Sequence, residues 1–551
     1  MTDESSVGAA AAVAPRQPEG ESRGAWRKYW IALSQPWRTE PEIDDERRQF
    51  LAERQAITPN IGQDVYPFKG VVLARADVEW LLATHDGGRG PVDWSDAPQR
   101  ERVGLDLRGA DLRGANLRAL PLARLIGGLA GATEKQREVA GVRLDGADLR
   151  YAHLEGADLR EAQLANALCE KAQLQSAQLA KAFLRRTNLR GAHLEGADLR
   201  DARMEKAEFF GAWLEDANLS GARLQGASLT EAHLEGASLG GSRLEGAFLR
   251  RAHLEGAKLY GAHLENASLV EAQLAGAFLR RVHFEGASLA QAHCAGKRLA
   301  EDDLRRVRQW KPEFPAVLPP ADFSLAFFDA GTVLQGIVLG DQTSGFVSLA
   351  DVRWGNVNLA VVRWRRDRRG RIIPLGDEAE ARRARGADGT SKPQRQRLAE
   401  YETAVRANRQ LALALQAQGL NEDAARYAYR AQVLQRGVLR RQGKVGAYLF
   451  SLFLDGLAGY GYQPGRSVVA YVLMLAGFTV AYYAIGQAYG PRLSVPGALV
   501  FSVTSFHGRG FFPGNVTVDS PLTELAAFEA LVGLLIELSF IATFTQRFFG
   551  K

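Results

Sequence analysis

From Leu144 to Leu304 every fifth residue is apolar, and the register does not slip. The position is nearly always Leu, with Met204, Phe209, Phe284, Cys169 and Cys294 as substitutes. Two residues earlier stands a small residue, almost always Ala, as at Ala147, Ala152, Ala157 and Ala162. The stretch HLEGADLR occurs at 153–160 and again at 193–200. A period of five excludes an amphipathic helix, because five residues turn a helix through about 500° and scatter the Leu side chains around it. It also excludes a flat strand, whose side chains alternate with period two. What remains is a solenoid in which each repeat turns a corner and points its Leu and Ala inward.

This pattern, A-(D/N)-L-x-x sustained along the segment, resembles the pentapeptide repeat proteins. The resemblance implies a right-handed quadrilateral β-helix in which each side of a coil is one pentapeptide. About eight coils stacked at roughly 4.8 Å make a rod on the order of 40 Å long. On that geometry Cys169 and Cys294 stand about six coils, or roughly 30 Å, apart and cannot bond, so both read as core fillers. The repeat starts at GLDLRGADLRGANLRAL (104–120), and PLARLIGGLAGATEKQREVA (121–140) reads as a helical insertion. Looser copies return near residue 346, where Leu349, Trp354, Leu359 and Trp364 keep the spacing and suit a closing cap. The solenoid is therefore assigned to 104–364.

Other periodicities organise the flanks. Residues 1–24 read as a disordered tail without the pattern of a secretory signal. Residues 25–103 read as a mixed segment, with a helix containing Trp26 and Trp30, then a strand leading into a helix near Ala76. Its tryptophans suit either a membrane surface or packing against a neighbouring domain. A charged linker (365–397) precedes two helical patterns broken at Gly419, read as a helical hairpin over 398–442 with Asn421 as an N-cap. Residues 445–465, apolar with a single Asp455, suit a helix lying at a membrane surface.

Between Arg466 and Arg492 no charge occurs, enough for one membrane-spanning helix. A second candidate span runs from about Leu522 to Thr545. Between them lies FSVTSFHGRGFFPG (501–514). Span, short apolar helix, glycine-containing loop and span over 467–545 resemble the two-transmembrane potassium-channel pore module. That resemblance makes Thr504 and Ser505 part of a pore helix, and His507, Gly508, Arg509, Gly510, Phe511 and Phe512 the filter-like loop. Where the family has T-V-G-Y-G-D, this chain has Gly-Arg-Gly-Phe-Phe-Pro, so one filter glycine is missing and Arg509 would repel cations near an axis. Anion selectivity, a nonselective pore and a non-conducting relic all stay open. In the second span Glu537 should face a pore or a partner, Glu529 reads as an interfacial residue, and Gly533 as a hinge or a close helix contact.

Charge refines the picture. The whole chain carries +6, but residues 141–300 hold 20 basic and 20 acidic side chains, while 363–444 hold 20 basic against 9 acidic. A neutral solenoid does not suit the DNA mimicry seen among pentapeptide repeat proteins, so no nucleic-acid partner is expected. Basic residues flank the hairpin at Lys444, Arg466, Arg547 and Lys551, which places both termini and the solenoid in the cytoplasm of a bacterial inner-membrane protein. Seven of nine histidines precede a central apolar residue. On the inferred coil His233 and His253 are neighbours on one face, and His263 and His283 on the opposite one. A metal ladder or pH sensor is conceivable there; duplication of HLEGA, filling a surface position, is the preferred reading, and no metal or cofactor is assigned. No catalytic motif occurs, so the chain does not read as an enzyme. Expected partners are a lipid membrane, an inorganic ion, three further copies in a homotetramer implied by the channel resemblance, and an unidentified protein on the solenoid. The leading reading is an ion-channel-like membrane protein with a sensor or scaffold solenoid; the alternative is a non-conducting membrane-anchored scaffold.

Overall fold

A computed structural model describes residues 15–20, 22–60, 63–128, 141–364, 373–386, 389–489, 492–508 and 519–548. The chain divides into two compact units, Met1–Ser348 with Val352–Arg369 and Leu349–Asp351 with Gly370–Lys551.

In the first unit the five-residue register folds as a four-sided β-helix. Through the uninterrupted part of the coil each rung pairs in parallel with the residue twenty positions on, as in His153↔Gln173↔His193. The backbone repeats the same exchange at every rung: the Leu154 N–H donates to Gln173 O at 2.7 Å, and the Gln173 N–H donates to Ala152 O at 2.9 Å. A small residue, mostly Ala, is favoured two residues before Leu because it points into the coil, where the inward Ala and Leu side chains are buried along the whole stretch. Where the small position carries a hydroxyl, the chain satisfies it internally: Thr187 Oγ1 donates to Leu164 O and Ser242 Oγ to Leu239 O, both at 2.7 Å. The corner after Leu needs a left-handed residue, and Gly156 takes it at φ +62°. On the outer faces the ADLR motif neutralises itself, since Arg150, Arg160 and Arg200 each grip the Asp two residues earlier. The even charge count is thus built into the repeat.

The coil departs from the sequence expectation in three places. Helix α1 (Arg23–Ala32) begins inside the stretch read as a tail and buries Trp26 and Trp30. With α2 (Asp45–Gln55) and α3 (Arg75–Gly88) it forms the N-terminal cap. There the buried Glu79 carboxylate accepts the Thr39 and Glu40 N–H groups, and Val72 pairs in parallel with Asp111 of the first coil. The assigned insertion at 121–140 is shorter than its sequence suggested. Residues 121–128 continue the coil, pairing Pro121 with His153 and Ile126 with Asp158, and 129–140 lie outside the described residues. Finally, the chain leaves the coil after Cys294 and re-enters at Ala321. Leu299 and Leu304 keep the five-residue register but pack elsewhere, with Val307, Phe314 and Leu318. The terminal coils are closed by aromatic rings: Phe284 on Phe328 at 5.4 Å and Phe328 on Trp354 at 5.7 Å.

The second unit is helical. Helix α5 (Gly376–Arg382) packs on the hairpin of α6 (Gln394–Ala417) and α7 (Asn421–Arg441), with Arg430 clamping the buried Glu378. Asn421 is the first helical residue and Leu420 occupies the cap. Helix α8 (Val445–Ala458) carries Asp455, which accepts from Tyr429 and Arg436 of α7 at 2.9 Å and from Arg466 at 3.0 Å. Helices α9 (Pro464–Tyr489), α10 (Val495–Phe506) and α11 (Pro521–Phe548) follow.

Both cysteines are free and buried among the inward Leu residues. Burial pushes the Cys169 thiol up to about 12 and raises that of Cys294 further. In the native protein at pH 8 Ellman's reagent should therefore find neither thiol on the minutes scale, whereas denaturant should release both. Rapid native labelling would contradict the inward placement.

Candidate functional site

In the helical unit the sequence-predicted site residues converge at one end of α10. Ser494 caps this helix by accepting from the Gly497 N–H, and Pro496 occupies its first turn. Its flank toward α11 buries Ser502 and Ser505; Thr504 bonds back to Val500 O at 2.9 Å. Ser502 Oγ donates to Glu529 Oε1 at 2.5 Å, and Glu529 is fully buried. Glu529 is therefore an interior anchor of the hairpin, where its sequence position suggested an interfacial residue. His507 ends α10 with its Nδ1 on the Glu537 carboxylate and its Nε2 3.1 Å from the Tyr471 hydroxyl of α9. Gly508 follows at φ +67°. Gly533 lies under the end of α10: a Cβ there would meet the Phe506 carbonyl oxygen at 2.1 Å. The glycine is a close helix contact within a continuous α11. Arg509, Gly510, Phe511 and Phe512 lie outside the described residues.

This hairpin is apolar outside as well as inside, and its interior, built on Phe478, Phe501, Leu522 and Ile536, also holds a few polar groups. Glu529, Ser502 and Ser505 are inside, while Val468, Val469, Val472, Leu473 and Val480 of α9 and Leu531, Leu534, Leu535 and Leu538 of α11 are exposed. Among the described residues one helix, Gly465–Tyr489, is long and apolar enough to cross a membrane. The second expected span coincides with α11, which carries Glu524, Glu529 and Glu537.

In the solenoid unit the histidines stack along two columns. On one face the rings run His193, Trp213, His233, His253, with centroids 5.8, 4.2 and 4.8 Å apart. His263, His283 and Phe327 stack on the opposite face at 4.7 and 4.2 Å. Beside the first column stands a ladder of buried carboxylates, Glu195, Glu215, Glu235 and Glu255. They are covered by the excursion that leaves the coil after Cys294. It runs as β1 (Lys297–Arg298), α4 (Glu301–Trp310) and β2 (Val317–Leu318), with β1 and β2 paired antiparallel. Arg306 of α4 donates from Nε to Glu215 at 2.6 Å and from Nη2 to Glu235 at 2.9 Å, and its guanidinium lies 4.7 Å from the Trp213 ring. Lys297 pairs with Glu255, and Lys311 with Asp216 at 2.7 Å. Apolar side chains fill the corners: Trp310 sits over Gly196, Phe314 over Gly236 and Gly256, and Leu318 over Gly276. Burial, then the neighbouring Glu235, push the Glu215 carboxyl up to about 8 against the pull of Arg306. Burial acts the same way on Glu255, but His253 and Lys297 together hold it below the ordinary range. Sequence reading missed this strap because Leu299 and Leu304 kept the five-residue register through it. The signal that could have found it is the acidic first turn EDD before Leu304, Val307 and Trp310, which recur at helical spacing with Arg between them.

The repeat geometry defines the solenoid as a β-helix of pentapeptide coils, and the profile described as Pentapeptide repeats matches in eight copies between residues 140 and 299. The chain belongs to the pentapeptide repeat proteins. Among solved structures it is similar to HetL of the cyanobacterium Nostoc sp. strain PCC 7120, a pentapeptide repeat protein involved in heterocyst differentiation regulation. That match has 26% identity, covers 46% of this chain and 91% of HetL, and has a TM-score of 0.33. A second pentapeptide repeat protein of Nostoc PCC 7120 is 34% identical over 16% of this chain and 69% of its own, with a TM-score of 0.10. Rfr23 of Cyanothece 51142 is 29% identical over 26% and 85%, with a TM-score of 0.16. No curated protein matches the chain in sequence. The profile match ends at 299, so the helical unit lies outside it.

Two substitutions test these arrangements. Gly533→Val should unseat the end of α10 and destabilise the detergent-solubilised protein by about 1–3 kcal/mol. Gly477→Val, on α9 with open space around it, should change little. Equal thermal midpoints for the two variants would refute the close contact. For Glu215 the sign follows from its raised value. Between about pH 4.5 and 8 the folded chain holds a proton that the unfolded chain has released, so stability falls as pH rises through that window. Glu215→Gln removes the loss; its stability relative to wild type should rise by on the order of a few kcal/mol from pH 5 to 8.5 in urea titrations.

Proposed function

We propose that this chain is a membrane-anchored pentapeptide repeat scaffold whose C-terminal hairpin is a pore-loop module that passes ions as a homotetramer. The observation that carries the reading is the apolar coat of α9–α11, exposed Val and Leu around an interior that also buries Glu529 on Ser502. Lipid accepts such a coat, and an intramembrane carboxyl is kept where it faces a partner or a pathway. The short helix α10 packs against both long helices, as a pore helix does in the family that 467–545 resembles. Lys444, Arg466, Arg547 and Lys551 support a bacterial inner-membrane topology with both termini and the solenoid on the cytoplasmic side. In this reading the solenoid is a sensor or docking rod for a protein partner, and no chemistry is assigned to it.

Selectivity follows from the loop. In sequence the loop has Gly-Arg-Gly-Phe-Phe-Pro where the family has T-V-G-Y-G-D, and four arginines at the filter position that the resemblance implies for Arg509 would disfavour potassium and leave anion or nonselective conduction. The second reading, a non-conducting anchor, is favoured by the one helix that, among the described residues, meets the length and apolarity of a span.

Sizing of the detergent-solubilised protein should give a tetramer, and reconstitution into planar bilayers should give currents whose reversal potential moves toward cation preference in Arg509→Val. A monomer, or a verified tetramer that stays silent across pH, voltage and ions, would overturn the channel and leave the anchor.

A further inference from the structure

The two histidine columns present the same chemistry under different cover. On one face His233, Glu235 and His253 bring their donor atoms within 4.8 Å of one another. A guanidinium already occupies this cradle: Arg306 Nη2 lies 2.9 Å from Glu235 and 3.3 Å from His233 Nδ1. On the opposite face His263, Glu265 and His283 form a second cradle of the same size. Among the described residues, the ion pairs recorded for Glu265 and Glu285 are those with the imidazoles of their own rungs, His263 and His283. Arg243, the rung neighbour of His263, is engaged by its own Glu245 at 2.9 Å.

We infer that His263, Glu265 and His283 form a binding site for a divalent transition-metal ion of the zinc, nickel and copper class. The spacing fits first. His263 Nδ1 lies 2.9 Å from Glu265 Oε1, and two ligand atoms each about 2.1 Å from a metal stand roughly 3 Å apart. A metal ion takes the place of the proton between ring and carboxylate once the Glu265 carboxylate turns off the Nδ1 lone-pair line, because an ion about 2.1 Å from both atoms stands beside that line. His283 lies one coil away with its ring nearly parallel, 8° from that of His263 and 4.7 Å from it, and a change of side-chain rotamer at the exposed ring edge turns its lone pair toward the ion as third ligand. Phe327 stacks on the far side of His283 and keeps that residue beside His263. Spare acceptor capacity is present too: Glu265 Oε2 and Glu285 Oε2 are buried atoms without a hydrogen-bond partner among the described residues. Glu285, 3.3 Å from His283 Nδ1, supplies the outer carboxylate that orients a metal-bound imidazole. All three ligands are partly exposed, so an ion enters from solvent and leaves an open position for water or an outside ligand. Two imidazoles and one carboxylate select borderline metals over calcium and magnesium, which need more oxygen ligands.

The test uses tag-free full-length protein in detergent, equilibrium dialysis against Zn²⁺ or Ni²⁺, and metal analysis of the retained protein. Wild type should retain metal at this site. His263→Ala and His283→Ala should each weaken retention by at least about tenfold, because the loss of even an outer-sphere partner costs that much. His263→Gln removes the metal donor but keeps a polar partner for Glu265; with an unchanged thermal midpoint it separates lost binding from lost folding. His233→Ala should leave retention unchanged, since Arg306 fills that cradle. No retention by wild type, retention that survives His263→Gln, or loss in His233→Ala instead would overturn the inference. None of these outcomes bears on conductance, so this site and the channel reading stand or fall separately.

Discussion

The structure depends on one exchange of hydrogen bonds, repeated at every rung. The N–H before each corner donates to the coil above, and the rung itself donates to the coil below, at 2.6–2.9 Å through most of the repeat. Such a stack closes most readily when a small residue, mostly Ala, stands two residues before the inward Leu, with Thr187 and Val282 as larger exceptions. That preference explains the five-residue register better than hydrophobicity does. Strict stacking then has a consequence on the outside: residues twenty apart become columns at the strand spacing of roughly 4.8 Å. Each outward choice is tested against its own neighbours above and below. ADLR solves this locally by pairing Asp with Arg inside one repeat. HLEG does not, because it builds a ladder of carboxylates that no single repeat can neutralise.

The strap is the answer to that ladder on one face. Burial penalises the charged form of Glu215, and the like charge of Glu235 one coil away adds to it, which is why Glu215 holds its proton far above the ordinary carboxylate range. Arg306 and Lys297 bring in the missing positive charge from outside the repeat. The glycines of the HLEG corners have a second role here. A side chain at Gly256 would meet the Phe314 ring at 2.9 Å, so the corners are left bare where the strap seats its rings.

How much of this was legible in the sequence follows from the range of each interaction. The coil was readable because its determinants lie within five residues and recur. The stacking of His233 on His253 followed from the coil length alone. The strap was hidden because its partners are about 70 to 90 residues away, and because Leu299 and Leu304 fall in register by position while packing elsewhere. The insertion boundary at 121 was misplaced for the opposite reason. Residues 121–128 break the small-residue rule, yet Leu122 and Leu125 still fill the coil from its inside. In the hairpin the order of elements was legible, whereas the roles of Glu529 and Gly533 were not. Both are defined by α10, a helix whose seat no periodicity encodes.

Identical motifs thus take different roles according to what covers them. HLEG at 233–236 and HLEN at 263–266 share ring, carboxylate and spacing. The first lies beneath α4 and takes a guanidinium supplied by the chain itself. The second faces solvent with its imidazole and carboxylate already at ligand spacing. Duplication of a repeat copies the donor set, but it does not copy the excursion that occupies it. A solenoid grown by duplication therefore accumulates unfilled copies of its own internal contacts. The copy on an uncovered face is where an external cation can take the place that Arg306 holds on the other.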